Sequence, residues 1–257
     1  MKKTKLEQAA PLLLLGIVLL TWELIGQLCV GTRWEASIPT FSAVVKSLIE
    51  HRGPIFMHSV HTFWTTMVGF AIAVVIGVLL GCILGSSRFI YNACYPLLVG
   101  FNAVPKAAFV PILVVWFGIG AVPAILTAFL ISFFPIVVNV ATGLATLEPE
   151  LEDVLRALGA SRIDILKKVG LPRSLPFFFA SLKVAVTLAF VGTVVSELGA
   201  SDQGVGYLMM TASSTFQTPL MFAGIIVISV MAMVMYELFA FVEMRTTKWA
   251  HRGQEAK

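Results

Sequence analysis

Six long apolar stretches, separated by polar segments, constrain the fold of this chain more than any other feature of its sequence. An α-helix needs about 20 residues to cross the hydrocarbon core of a bilayer, and each stretch is long enough. Of the 257 residues, 58% are hydrophobic and 12% are charged, which excludes an ordinary soluble domain. We therefore predict an all-α, polytopic membrane protein with six transmembrane helices. The predicted spans are Pro11–Val30, Phe63–Gly85, Tyr91–Gly118, Val122–Gly143, Phe177–Leu198 and Leu220–Val242.

The spans belong to one unit, because the sequence shows no internal repeat, linker or second domain. We predict a single transmembrane domain over residues 1–257, with its core at about 58–243. In the second span, Gly77, Gly81 and Gly85 follow one another at four-residue steps. Small residues at that spacing let helix backbones approach closely in a membrane. They predict a packing face, either within the bundle or toward a partner chain.

The basic residues are distributed unevenly between the two sides of the predicted bundle. Cytoplasmic segments of membrane proteins carry an excess of lysine and arginine. With the amino terminus inside, the inner segments hold 13 basic residues and the outer segments hold three, Arg33, Lys46 and Arg52. This bias places both termini in the cytoplasm, together with the long polar interval 148–176. The net charge of +4 reflects topology, so nucleic acid is not an expected partner.

The interval Glu148–Pro176 is predicted to form two short helices joined by a hinge. Leucine and valine recur there at helical spacing, and Gly159 follows where a helix end favours a left-handed residue. Ser161 with Asp164 forms a capping box, so a second helix should begin at that point. Leu171-Pro172 is expected to stop it, because proline has no N–H to donate.

This helix–glycine–helix pattern resembles the cytoplasmic coupling loop of ABC-importer permeases. The family pattern is Glu-Ala-Ala, three residues, Gly, nine residues, Ile-x-Leu-Pro. Asp153 stands at the glutamate, Leu155 at the second alanine, Gly159 at the glycine, and Leu171-Pro172 at the close. The opening departs from the pattern, since Leu155 is bulkier than alanine. The resemblance implies that an ATPase is contacted by a set of loop residues: Asp153, Arg156, Gly159, Ala160, Ser161, Leu171 and Pro172.

The third stretch is unusual because it combines three prolines with Asn102 and Lys106. Prolines free backbone carbonyls in a membrane helix, and this is tolerated where the helix faces protein or a water-filled path. Lys106 is costly facing lipid, so we expect it to point inward or to reach the inner surface. A structural lysine and a lysine that attracts an anion both remain open at this point.

The segment Val104–Gly120 resembles the third-span signature of permeases for nitrate, sulfonates and taurine. Similarity to that family extends over most of the chain, and also marks the end of the fifth span and the glycine-rich loop after it. It implies a type I ABC importer permease-like bundle and a translocation path for a small solute such as a sulfonate, taurine, nitrate or a related compound. The path residues that it implies are Asn102, Pro105, Lys106, Asn139, Thr193 and Glu197.

The resemblance also implies partners: a second permease chain in a homodimer, two cytoplasmic ATP-binding subunits, and an extracytoplasmic solute-binding protein. The expected location is the bacterial cytoplasmic (inner) membrane. The sequence has no G-x-x-x-x-G-K-[ST] phosphate loop, so ATP and Mg should be bound by the partner ATPase. We expect a transport subunit with no catalytic residues, metal or cofactor of its own.

A different class of function, a stand-alone channel or an ion-driven secondary carrier, remains as the alternative. Glu23, Lys106 and Glu197 would then serve as intramembrane charges. For Glu23 we favour a structural carboxylate near the outer interface. His51, His58 and His61 are loosely spaced, and a metal site is not favoured. Two outer segments, Ser42–Glu50 and Tyr207–Ala212, are predicted to form short helices.

Overall fold

The computed structural model describes residues 5–34, 37–85, 87–145 and 154–247, and these residues form helices with no strand among them. The long helices are α1 (Lys5–Cys29), α3 (Arg52–Gly85), α6 (Ala121–Ala145), α9 (Leu171–Ala200) and α11 (Thr218–Thr246). The shorter ones are α2 (Phe41–Glu50), α4 (Arg88–Ala103), α5 (Val110–Phe117), α7 (154–157), α8 (Arg162–Ile165) and α10 (Val205–Ser214).

Five of the described helices are long and apolar enough to cross a membrane. A sixth span results if α4 and α5 are counted as one, but they are bent by 70° at a break between Ala103 and Lys106. The third span predicted over 91–118 is therefore interrupted, and it counts as one span only when α4 and α5 are taken together. The physical reason is Pro105, which has no N–H for the helical ladder and forces Val104 into extended backbone (φ −67°, ψ 128°).

The core of the bundle lies between α3, α6 and α9. A Cβ added at Gly77, Gly81 or Gly85 would lie within 2.9 Å of the Cβ of Ile136, Val140 or Leu144, respectively. The glycine stripe of α3 is thus packed against α6, which confirms the predicted packing face and places it inside the chain. Phe190 and Val186 of α9 fill the remaining side of this core.

Two helices at the periphery are attached far less extensively. In the most apolar 18-residue stretch of each helix, 6% of the residues are buried in α1 and in α11, against 50% in α9. Trp22 of α1 makes the connection, since its Nε1 donates to the Pro39 carbonyl at 3.0 Å and its ring contacts Phe41 and Phe222. These helices therefore leave most of their apolar surface for lipid or another chain.

The predicted short outer helices are present. α2 begins at Phe41, where the Thr40 hydroxyl accepts from the backbone N–H of Ala43 at 3.2 Å. Glu23 also serves this turn, since its carboxylate accepts from the Ser42 N–H at 2.9 Å and from the Ser42 hydroxyl at 2.9 Å. The carboxylate thus ties α1 to the start of α2, as a structural group would.

Candidate functional site

The polar segment 154–170 leads into α9, and its first part ends where the sequence predicts. Gly159 has φ +84°, its N–H donates to the Arg156 carbonyl at 2.9 Å, and the next N–H, of Ala160, reaches the Leu155 carbonyl at 3.0 Å. This pair of hydrogen bonds closes the helix end that 154–157 begins. Asp153 lies outside the described residues.

The second part of the segment begins with the predicted capping box. The Ser161 hydroxyl donates to an Asp164 carboxylate oxygen at 2.5 Å, and the Asp164 N–H donates back to that hydroxyl at 3.2 Å. Lys168 lies 3.8 Å from the same carboxylate. The Ser161 hydrogen bond first, and then the charge of Lys168, hold the pKa of Asp164 below its ordinary value.

The expected stop at Leu171-Pro172 is not present in the structure. After α8 the chain forms one π-helical turn, Leu166–Gly170, and then runs directly into α9. Pro172 lies in the first turn of α9, directly after the π-helical turn, so its missing N–H removes one backbone hydrogen bond without ending the helical path. Residues 162–170 and α9 therefore form one continuous helical stretch.

Apolar side chains remain exposed on this otherwise polar segment. Leu158 is 78% exposed and Val154 is 56% exposed. Leu158 also lines a shallow cavity of about 310 Å³, together with Leu155, Gly159, Ala160, Asp164 and Ile165. Val154 and Leu158 thus add apolar surface to a segment that lies outside the candidate spans.

The break between α4 and α5 is organised around Lys106. Its Nζ donates to the Asn102 carbonyl and to the Asn102 side-chain oxygen, both at 2.7 Å. The rings of Phe101 and Phe134 lie 6.0 and 5.8 Å from Nζ. Among the ion pairs of the described residues, none includes Lys106. The charge is thus stabilised by dipoles and aromatic faces, without a carboxylate.

Another lysine within the spans is held differently. Lys183 of α9 donates to a carboxylate oxygen of Glu243 in α11 at 2.5 Å, and its Nζ lies 5.8 Å from the Tyr236 ring. Both charged side chains are largely buried, at 19% and 13% exposure. This pair fastens the weakly packed α11 to the core helix α9.

The predicted path residues fall into two groups. Asn102, Pro105 and Lys106 lie together at the break, and Asn139 on α6 donates to the Pro135 carbonyl at 2.8 Å, next to Phe134. Thr193 and Glu197 are instead buried between α9 and α3. The Thr66 hydroxyl donates to Thr193 at 2.8 Å, and both carboxylate oxygens of Glu197 lie 2.9 Å from the Thr62 hydroxyl.

The Glu197 group also includes His58 and Thr62, which no sequence motif marks as belonging with Glu197. Thr62 and His58 occur four residues apart on α3, so they share one face. The His58 Nδ1 accepts from the Gly204 N–H at 3.1 Å, and the Thr62 hydroxyl accepts from the Val205 N–H at 2.8 Å. The His-x-x-x-Thr spacing was the available signal, but nothing in it specified a glycine-rich loop as the partner. Among the described residues, no three His, Cys, Asp or Glu side chains lie close enough together to hold a metal.

Comparisons with known proteins agree with this architecture. Residues 73–248 match the family described as binding-protein-dependent transport system inner membrane component. The chain is 27% identical to the formylaminopyrimidine transport permease ThiX of Halalkalibacterium halodurans over 96% of this chain and 98% of that protein. It is 27% identical to the taurine transport system permease TauC of Escherichia coli, with 82% and 80% of the two chains covered.

The fold is also similar to a solved structure, the inward-facing MetNI methionine ABC transporter. The TM-score is 0.63 at 18% identity, and the match covers 80% of this chain and 97% of that chain. The family match over most of the chain, the helical bundle and the segment attached to α9 lead to one assignment. The chain belongs to the family of inner membrane components of binding-protein-dependent transport systems, and it is a permease subunit of an ABC importer.

Proposed function

We propose that this chain forms one half of a translocation path for a small organic solute carrying an anionic group. A separate ATPase drives transport by docking on the segment 154–170. The observation that carries the proposal is the exposure of Leu158 and Val154 beside the Gly159 turn, next to residues 162–170, which run without interruption into α9. The family supplies the general partners, an ATPase and a solute-binding protein.

The link from docking to transport follows from how α9 is packed. α9 is the most extensively buried of the candidate spans, with contacts to α3, α6, α10 and α11. A displacement of 154–170 toward an ATPase therefore cannot leave the bundle unchanged. A rigid-body movement of α9 against its neighbours is a known type of transport switch.

The remaining parts of the assembly are proposed from the sequence. The charge bias supports a cytoplasmic position for 154–170 and for both termini. ATP and Mg would be bound by the ATPase, because this sequence has no phosphate loop. A second copy of the chain would complete the path by two-fold symmetry. The exposed apolar faces of α1 and α11 leave room for both lipid and that copy.

Lys106 supports the anionic character of the solute. A positive charge within a span, with no carboxylate among its described neighbours, attracts negative charge more strongly than it would in water. Its position at the break also places it where the backbone is irregular, and irregular backbone at membrane depth lines a cavity or faces protein.

The docking surface is tested with two matched glycines. Gly159 and Gly31 both have positive φ, +84° and +75°, and neither has an atom within 4 Å of an added Cβ. We expect Gly159→Asp to insert normally but to lose its ATPase in co-purification, while Gly31→Asp retains it. Retention of the ATPase by Gly159→Asp would refute the docking assignment.

The driving force and the solute are tested in proteoliposomes that contain the complete complex. Taurine uptake should require ATP and should not respond to a proton or sodium gradient alone, whereas an ion-driven carrier would show the reverse. Lys106→Met should reduce uptake of taurine or another sulfonate by roughly tenfold, while Lys106→Arg retains most of it. Equal uptake by the two variants would exclude the role of the Lys106 charge.

A further inference from the structure

Each of the first three backbone N–H groups at the start of α10 is held by a different side chain. Gly204 donates to the His58 Nδ1 at 3.1 Å, Val205 to the Thr62 hydroxyl at 2.8 Å, and Gly206 to a Glu197 carboxylate oxygen at 2.9 Å. The three acceptors come from α3 and α9. Helix amino termini carry unpaired N–H groups, and here neighbouring helices satisfy them. We call His58, Thr62 and Glu197 the α10 clamp.

The α10 clamp is closely packed, so a small movement of one of its side chains displaces the loop between α9 and α10. Glu197 is 1% exposed and Thr62 is fully buried. A Cβ at Gly204 would lie 2.2 Å from the Glu197 carboxyl carbon, and one at Gly206 would lie 2.6 Å from its Cβ. The loop between α9 and α10 therefore reaches its position only when these side chains occupy theirs.

Of the three acceptors, His58 differs because a proton can remove its function near neutral pH. A nitrogen that accepts a hydrogen bond must carry a lone pair, so His58 is uncharged with its proton on Nε2. Imidazolium has a hydrogen on both nitrogens and cannot accept the Gly204 N–H. It would also place a positive charge at the positive end of the α10 dipole.

A proton can reach this histidine. His58 is half-buried and lines a cavity of about 590 Å³ together with Met57, His61, Trp64, Asp202 and Gln203. The titratable groups that face it are His61 on α3, Glu197 on α9, Asp202 in the following turn, and Tyr207 on α10, whose ring lies 5.8 Å away. None of these groups restores the acceptor that Nδ1 loses on protonation.

We propose that His58 is a positioning residue that holds the amino terminus of α10 in its uncharged form and releases it when protonated. Histidine is the side chain whose charge changes at mild pH, between about pH 5 and 8. α10 contacts α3, α9 and α11, so its release loosens the part of the bundle opposite the segment 154–170. The inference concerns the folded chain alone and stands apart from the proposed function.

Hydrogen exchange of the full-length protein in lipid nanodiscs tests the proposal. His58→Asn is the matched variant, because its amide oxygen can occupy the position of Nδ1, accept the same N–H, and never titrate. We measure exchange over residues 202–214 at about pH 7.5 and about pH 5, on either side of the histidine range. At the higher pH, native protein and His58→Asn should exchange at the same rate. At the lower pH, native protein should exchange roughly three- to tenfold faster than His58→Asn measured at that same pH.

Two more variants locate the proton. His58→Phe keeps an aromatic ring but has no acceptor, so at both pH values it should exchange faster than His58→Asn does at the same pH. His61→Asn should keep the full pH response of the native protein. A response that persists in His58→Asn, or that disappears in His61→Asn, would overturn the assignment of the proton to His58. Equal exchange of His58→Phe and His58→Asn at both pH values would overturn the role of the acceptor itself.

Discussion

The two ends of α9 are stabilised in different ways. At its carboxyl end, which the charge bias predicts to be the outer end, Glu197 is buried and bonded to Thr62 and to the Gly206 N–H, so that α10 is fixed within the chain. At its inner end, the segment 154–170 is stabilised by local contacts such as the Ser161–Asp164 box, and it exposes Leu158 at 78%.

This difference concerns how far each end of α9 is stabilised by contacts within this chain. A buried carboxylate must be matched by donors, so the outer end is determined by the permease sequence itself. An exposed leucine on a polar segment lowers its free energy when another surface covers it. The outer end is thus a joint stabilised by contacts within this chain, and the inner end carries the surface that we propose as an ATPase interface.

The largest effect is expected at the outer joint. Gly204→Ala combines a φ of +101° with a Cβ placed against the Glu197 carboxylate, and it should cost roughly 3–5 kcal/mol of unfolding free energy. The control is Gly199→Ala on α9, where no atom lies within 4 Å of the added Cβ. Thermal unfolding in detergent measures both. A Gly204→Ala protein as stable as the control would show that the joint is loose.

A second prediction concerns the part of α9 between its two ends. Lys183→Met leaves Glu243 largely buried without its partner and should cost roughly 2 kcal/mol, less than for a fully buried pair because both groups retain some solvent contact. Lys106→Met is the control, since it leaves no unpaired carboxylate among the described residues, and it should change unfolding much less. Equal losses would mean that the Lys183 pair adds no stability to the core.

The third prediction addresses the inner end. Leu158→Asp should change the unfolding free energy by no more than about 0.5 kcal/mol, because the side chain is already exposed. It should nevertheless weaken co-purification of the ATPase by roughly tenfold or more. Phe216→Asp is the control, since Phe216 is 81% exposed at the α10–α11 connection and should leave ATPase binding unchanged. If both variants bind the ATPase equally, the inner end is not the interface.

The smallest effect is a pH dependence of the inner end. Because the folded-state pKa of Asp164 is depressed, its contribution to the segment is fully present above the ordinary value of 3.8 and is lost as pH falls through the folded pKa. Hydrogen exchange of 154–170 should therefore accelerate, relative to intrinsic rates, below about pH 4. Ser161→Ala removes the main cause of the shift and should flatten this response.

The sequence predicted most features that depend on local chemistry. Span positions followed from apolar length, the Gly159 helix end from a residue that tolerates positive φ, and the α3–α6 contact from glycines at four-residue steps. That Lys106 points inward or reaches the inner surface stays a prediction. Its hydrogen bonds to Asn102 agree with the structural reading, while anion attraction stays a prediction.

What the sequence did not predict depends on contacts between distant segments or on local choices of similar energy. His58 and Thr62 are more than 140 residues from the N–H groups that they accept. The continuous passage through the π-helical turn into α9 was missed because Leu171-Pro172 is equally compatible with a stop and with a first turn. The 70° break at Pro105 was missed for a related reason, since proline can bend a helix or interrupt it.

The Lys183–Glu243 pair also constrains how the protein is made. Lys183 is synthesised 60 residues before its partner, and at ordinary elongation rates the interval is about 3–12 seconds. During that interval an isolated α9 carries an unneutralised charge that disfavours its release into lipid by about 2.5–3.5 kcal/mol. Residence of α9 in lipid is therefore more favourable once α11 supplies the Glu243 carboxylate.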